Sequence, residues 1–247
     1  MDLLTLAGLL LALCAVLVGA VLKGAGLAAL LSFAAFMIVV VGTVAAILVQ
    51  TPRDTFRRAL AMLPWIARPP VPGGEATVGR IVEWSRVARR KGLLGLDAEI
   101  AGVEDPFTRR GLELVVDGTD PERLRSILEV ELDAREEDEL AAARVFEGMG
   151  VYAPTLGIIG AVLGLMSVMQ NLEDPTRLGQ GIAAAFTATV YGIGFANLLF
   201  LPAAAKLKAL VARRTRERIM VVDGLVAMAE GENPRAIEAR LQGYLRT

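Results

Sequence analysis

The stretch GVYAPTLGIIGAVLGLMSVMQNLEDPTRLGQGIAAAFTATVYGIGFANLLFLPAAAK, residues 150–206, decides the fold. It holds two apolar runs of about 20 residues parted by a short polar break, and a helix of that length crosses the hydrocarbon core of a bilayer. The pair reads as a transmembrane hairpin. Small residues recur at helical spacing in both runs: Ala153, Gly157, Gly160, Ala161 and Gly164, then Gly181, Ala184, Ala188, Gly192 and Ala196. In lipid such stripes let two backbones approach closely.

Each run also carries a proline, Pro154 near the start of the first and Pro202 near the end of the second. Inside a helix, proline removes one donor and pushes away the carbonyl four residues back, here that of Gly150 or Leu198. Two readings stand: the prolines break the spans, or they sit at membrane-entry turns. Thr187, Thr189, Tyr191 and Asn197 bring polar groups into the second run. A hydroxyl in a membrane helix commonly bonds its own backbone; the other use is a place on an ion path.

The rest of the chain fits this start. Of its 247 residues 54% are hydrophobic and 21% charged, too apolar for an ordinary soluble domain and too charged for a wholly buried one. The charges avoid roughly Leu3 to Leu22, Gly24 to Val49, Val151 to Leu172 and Leu178 to Ala205. The fold class is therefore an all-α integral membrane protein with four transmembrane helices. Residues 1–50 form a first hairpin, 51–150 a helical cytoplasmic loop, 151–205 the second hairpin and 206–247 cytoplasmic helices that complete the soluble part.

A net charge of −1 gives no basic face for nucleic acid. The single cysteine, Cys14, lies inside the first span and reads as a small core residue, so neither a disulfide framework nor a thiolate cluster is expected. The absence of histidine disfavours a Ser-His-Asp hydrolase, a haem protein or a zinc enzyme. No Walker-type loop is present, and no cofactor is implied.

No basic residues precede the first apolar run, which reads as a span rather than a cleaved signal. Arg53, Arg57 and Arg58 follow the second span, and Lys206, Lys208, Arg213 and Arg214 follow the fourth. By the positive-inside rule both sites are cytoplasmic. Both termini and the long loop then face the cytoplasm, and the connections Lys23 to Gly26 and Glu173 to Gly179 face outward. Within the loop, Val78, Ile81, Val82, Ser85, Ala88 and Gly92 share one helical face. A second helix starts at Thr119-Asp120-Pro121-Glu122, with a capping residue and a first-turn proline, and can run unbroken through Leu124, Leu128, Leu132 and Phe146 into the third span. The acidic run REEDEL, 135–140, reads as the solvated face of that helix. After the fourth span a basic and apolar helix covers Lys206 to Glu230, and a last one covers Arg235 to Leu245.

Five stretches, VVVGTVAAILVQTP (39–52), ARRKGLLGLDAEI (88–100), RRGLELVVDGTDPE (109–122), APTLGIIGAVLGLMSVMQNLEDP (153–175) and GIAAAFTATVYGIGFANLLFLPAAAKL (181–207), occur in the order expected of the flagellar motor stator A-subunit, the MotA/PomA family. The sequence resembles that family over nearly its whole length. The resemblance implies an ion-driven motor unit of the bacterial inner membrane. A homopentamer of A-subunits would surround the paired membrane helices of two B-subunits of the MotB/PomB type, which attach to peptidoglycan and supply the ion-binding aspartate. It would act on the rotor protein FliG while embedded in membrane lipid.

The resemblance also implies roles for particular residues. Pro154 and Pro202 match the prolines that couple ion binding to shape change, and Thr189 matches the fourth-span threonine of the ion path. Arg89, Arg90 and Asp97 match the charged positions that meet the rotor; Asp97 is one methylene shorter than the family glutamate. The spacing of eight between Arg89 and Asp97 would put both on a similar face of an unbroken helix, a continuity that Gly92 and Gly95 weaken. Ala161 and Ala188 stand where sodium-driven members tend to carry threonine, which removes two oxygen ligands and favours proton coupling. The alternatives are an energiser of the ExbB/TolQ type, which typically has three spans, and a non-conducting scaffold.

Overall fold

The computed structural model describes residues 3–24, 30–70, 73–170 and 175–245. In chain order the helices are α1 (Leu3–Leu22), α2 (Phe33–Gln50), α3 (Arg53–Ala67), α4 (Gly74–Lys91), α5 (Pro106–Val116), α6 (Pro121–Met169), α7 (Pro175–Phe195), α8 (Leu201–Ala229) and α9 (Pro234–Gln242). A π-helical turn, Ala196–Phe200, joins α7 to α8, and another, Met37–Val41, lies within α2. The chain divides into two compact units, Met1–Pro69 with Glu139–Ala209, and Pro70–Asp138 with Leu210–Thr247.

The first unit contains four helical stretches long and apolar enough to cross a membrane. The second span begins later than its hydropathy suggests. The run is apolar from Gly24, but α2 starts at Phe33, where the Ser32 hydroxyl accepts from the Ala35 N–H at 3.2 Å. Residues 25–29 and 171–174, which include parts of both expected outward connections, lie outside the described residues. α1 buries no residue within the chain, and Cys14 is exposed on it instead of sitting in a core. Helix α3 follows Pro52 directly and sets Phe56, Leu60 and Leu63 against Arg53, Arg57 and Arg58, the composition of a helix lying in the membrane interface.

The second unit has a conventional core. Helix α4 turns Val78, Ile81, Val82 and Trp84 inward against Ile237 and Leu241 of α9. Phe107, Leu112 and Val115 of α5, Leu124 and Leu128 of α6, and Met220 and Leu225 of α8 complete it. Its helices start where the sequence supplies caps. Asp105 accepts from the Thr108 N–H at 2.9 Å, Asp120 from those of Glu122 and Arg123 at 3.0 and 3.3 Å, and Asn233 from that of Arg235 at 3.0 Å. From the Asp120 cap, α6 continues as one helix to Met169. The acidic run on α6 is not wholly solvated: Glu139 is 7% exposed.

Candidate functional site

The small-residue stripes of α6 and α7 face each other and bring the backbones into contact. A methyl group added to Gly192 would fall 2.5 Å from the Ala153 carbonyl oxygen and 3.1 Å from the Pro154 Cα. One added to Gly157 would fall 2.9 Å from the Ala188 carbonyl and 3.4 Å from the Thr189 Cα. One turn on, Gly160 is filled by the Ala188 methyl, and Gly164 by that of Ala185. Only glycine allows this approach, because the obstructing atoms are backbone and have nowhere to move. Pro154, Ala188 and Thr189 are thereby gathered along one helix–helix seam. Ala188 is buried, Thr189 and Ala161 are half-buried, and Ala161 follows the glycine that receives Ala188.

The two prolines are accommodated differently. α6 stays α-helical through Pro154. Ahead of Pro202 the chain widens into the π turn, whose closing bond runs from the Leu201 N–H to the Ala196 carbonyl. A proline two residues after that turn cannot bond the Leu198 carbonyl, and an extra residue in the turn re-registers the helix around the missing bond. The π turn of α2 has no proline. There the Thr43 hydroxyl donates to the Val39 carbonyl at 2.5 Å, and the β-branched run MIVVV crowds the helix. The irregularities meet: Val39 of one π turn packs with Ala196 and Phe200 of the other and with Ala153, the neighbour of Pro154. Phe195 lies edge-on to Tyr191 with ring centroids 5.7 Å apart.

Hydroxyls and amides in the second run behave as general physics expects. Thr187 donates to the Ala183 carbonyl at 2.9 Å, and Asn197 to that of Ile193 at 3.0 Å. Tyr191 instead reaches the Leu30 carbonyl at 2.5 Å. No hydrogen bond engages the Thr189 hydroxyl among the described residues.

Polar pairs tie one end of the four spans together: Lys206 to the Thr5 hydroxyl, Tyr152 to Gln50 at 2.8 Å, and Lys208 to Glu147 at 2.6 Å. Beside the π turn of α7–α8, an apolar cavity of about 410 Å3 opens between α3 residues Phe56, Leu60 and Leu63 and the side chains of Phe146, Leu199 and Phe200. Neither this cavity nor the α2 π turn was legible in the sequence. Hydropathy registers composition and is blind to hydrogen-bond register.

In the other unit, Arg89 and Arg90 lie in the last turn of α4. Glu83 holds Arg86 at 3.2 Å and Arg90 at 3.7 Å. The helix ends at Lys91 because Gly92 adopts φ +75°, a left-handed conformation that side chains resist. A 3₁₀ turn, Leu93–Leu96, then leads to Asp97 at the start of a single helical turn. Arg89 and Asp97 are therefore on different elements, and a shared helical face does not place them together. Three groups in this unit have shifted acidities, among them Glu217, which burial raises. Burial, followed by the hydrogen bond to Asp223, pushes the Tyr244 phenol up to about 12, and the hydrogen bond to Asp223 raises Arg125.

A family model described as the MotA/TolQ/ExbB proton channel family matches residues 99–220. The chain is 36% identical to motility protein A of Bacillus subtilis over 249 residues, covering 99% of this chain and 91% of that one. The chain belongs to the MotA/PomA family. It is also 32% identical to the chemotaxis protein PomA of Vibrio alginolyticus, over 99% of this chain and 96% of that one. The solved MotAB structure from C. jejuni matches with a TM-score of 0.93 at 31% identity, covering 99% of this chain and 96% of that one. The flagellar MotAB stator complex from Bacillus subtilis matches with a TM-score of 0.88 at 36% identity, over 97% and 94%. Members of the MotA/PomA family are stator subunits, and the seam between α6 and α7 is the part of this chain where a membrane function has residues to use.

Proposed function

We propose that this MotA/PomA-family chain is the ion-conducting A-subunit of a flagellar motor stator in the bacterial inner membrane, converting proton flow into torque on the rotor. The observation that carries this is the full-length match to MotAB stator structures joined to spans that lack any carboxylate, ammonium or guanidinium group. The four spans contain no Asp, Glu, Lys or Arg. A conducting path through hydrocarbon needs a titratable or charged site, so the acid has to come from a second chain, the membrane aspartate of a peptidoglycan-anchored B-subunit. Five copies of this chain around two B-subunits would give that aspartate a ring of equivalent seams.

Thr189 is the hydroxyl on the path, and Ala161 and Ala188 leave the site short of the oxygens a bare sodium ion requires. Pro154, Pro202 and the π turns are the places where the helices bend at low cost. Arg89, Arg90 and Asp97 present charge to FliG. Both termini and the unit containing α4, α5 and α9 lie in the cytoplasm, as Arg53, Arg57, Arg58, Lys206 and Lys208 require under the positive-inside rule. The membrane potential supplies about 2.3 kcal/mol per elementary charge per 100 mV, so the motor has no need of a nucleotide or of enzymatic chemistry.

The test is complementation of cells lacking their own stator with this chain and its B-subunit. Wild type should restore swimming that a protonophore abolishes and that is indifferent to the sodium gradient. Thr189→Ala, Pro154→Leu and Arg90→Glu should each lose torque at normal membrane levels. Swimming that tracks sodium would refute proton coupling, and restored outer-membrane uptake without rotation would replace the motor by an energiser.

A further inference from the structure

Phe56, Leu60 and Leu63 share one face of α3 by their spacing and line one wall of the cavity of about 410 Å3 beside the π turn of α7–α8. Phe146 of α6, with Leu199 and Phe200 of the π turn, lines the opposite wall, and every lining residue is apolar. A water needs about two to four polar partners, so this space holds neither water nor an ion. Left empty, its walls forgo the dispersion contacts of a filled interior. Leu60, Leu63 and Leu199 are exposed, so the space opens outward from the chain. Phe146 directly precedes Glu147, the partner of Lys208 at 2.6 Å. The cavity therefore lies at the level where the apolar spans give way to charge. Helix α3 itself carries three arginines against one acid, Asp54. Arg53 and Arg57, one turn apart, are exposed and have no ion pair among the described residues. An apolar socket thus lies beside two unengaged guanidinium groups, which grip phosphate oxygens through paired hydrogen bonds.

We propose that this cavity seats one acyl chain of an anionic phospholipid, and that Arg53 and Arg57 hold the phosphate of its headgroup. Lipid binding of this kind goes beyond the stator reading given above and requires only that the four spans lie in a membrane. The size fits. At about 30 Å3 for a group the size of water, the cavity takes roughly a dozen methylene-sized groups, most of one chain. An acyl chain is already in hydrocarbon, so water does not drive it in; it is held by contact with walls that otherwise have none. The charge of the headgroup is selected by basic residues at the membrane surface. Phe200 also belongs to the cluster in which the two π turns meet Ala153, so the seated chain bears directly on the irregular part of α7–α8.

The test mixes the full chain, purified with its B-subunit in mild detergent, with equal amounts of phosphatidylglycerol and phosphatidylcholine, and counts retained lipids by native mass spectrometry. Wild type should keep one phosphatidylglycerol per copy of this chain and prefer it to phosphatidylcholine. Ala59→Leu, which puts a larger side chain into the cavity, should cut retention by about tenfold or more, the scale of overpacking a filled site. Ala61→Leu makes the same change on an exposed position of α3 outside the cavity and should keep the lipid. Arg57→Gln leaves the cavity intact and should lower the preference for phosphatidylglycerol by about fivefold, the effect of one basic residue at an anionic surface. Arg57→Lys should restore most of that preference. Should Ala59→Leu fail to accumulate, Ala203→Leu fills the cavity from the other wall and should lose the lipid equally. If wild type keeps no phospholipid, or Ala59→Leu keeps as much as wild type, the site is overturned. Equal retention of the two lipids by wild type would show that the arginines do not hold the headgroup. If Ala59→Leu separates the copies of this chain while the lipid count is unchanged, the cavity is a contact between copies and the lipid is wrong. Failure of wild type to restore rotation in cells would sink the stator reading and leave the lipid count untouched.

Discussion

In the unit of 70–138 and 210–247, large apolar side chains point inward. Phe107, Leu112, Leu124, Leu128 and Leu225 are each 0% exposed. In the unit of 1–69 and 139–209 the same residue types point outward: Leu4 is 85% exposed, Val49 90% and Phe186 66%. The seam between α6 and α7 in that second region is made of glycine and alanine, with backbone against backbone at Gly157 and Gly192. The difference follows from the solvent each region is written for. Water drives apolar side chains together, so a soluble core is built from large ones. Lipid offers no such drive, and helices are held by close approach of small residues and by the rare polar bond. A single chain therefore carries two opposite packing codes, and each should fail in its own way.

The largest effect is expected where the soluble code is strictest. Phe107→Ala empties the centre of the core and removes the ring lying 6.0 Å from both the Arg135 and Arg218 guanidinium carbons. A cost of about 3–5 kcal/mol is expected for the lost burial and the cavity, read as a lower melting temperature and faster proteolysis of the purified complex. Phe186→Ala, with the same change in volume on an exposed face of α7, should leave that melting temperature nearly unchanged. Equal losses at the two sites would break the comparison.

The next test inverts the direction of change and adds a single methyl. At Gly192 it meets the carbonyl of Ala153, and about 1–3 kcal/mol of overpacking is expected for Gly192→Ala, with loss of torque. At Gly224, in the core of the other unit, the methyl meets the Ile81 Cγ2 at 2.7 Å, a side-chain atom that shifts only by turning the buried isoleucine about χ1, so Gly224→Ala should cost less than a clash with backbone but is not free. At Gly194 nothing lies within 4 Å, and Gly194→Ala should be silent. Melting temperatures of the three variants, ranked in that order, would sharpen the distinction between backbone contact and side-chain contact.

How much of this was written legibly in the sequence depends on which code is being read. The avoidance of charge by four stretches and the Gly/Ala stripes announced the spans and their seam, since both are statements about composition and period. The caps at Asp105, Asp120 and Asn233 are local chemistry, and the helix through Asp120-Pro121 was foreseeable for that reason. Three features were not. The π turn of α2 depends on hydrogen-bond register within an apolar run that looks uniform. The late start of α2 at Phe33 depends on the Ser32 cap, which hydropathy averages away. The cavity exists only because α3 and the π turn of α7–α8, far apart in sequence, line one space. Cys14 shows the converse error, because the first span was expected to have an inside within this chain and has none.

The smallest expected effect lies at the end of the soluble unit, where Asp223 binds both Arg125, at 2.8 Å, and the Tyr244 hydroxyl. Tyr244→Phe removes one charge-assisted hydrogen bond that fixes the last turn of the chain to α8, a loss of about 1 kcal/mol. The wild-type bond should also impose a pH dependence of definite sign. The phenol is normally lost near 10, and in the folded protein burial and Asp223 push it up to about 12. A raised pKa means that the fold favours the protonated form. The stabilisation is therefore complete below about pH 10 and disappears as the pH rises through 12, with no change on the acid side. A melting-temperature difference between wild type and Tyr244→Phe that is constant from neutral pH to about pH 10 and then closes would assign the effect to this bond. A difference that closes near neutral pH instead would place the responsible titration elsewhere and show that the end of the chain is held by packing of the ring alone.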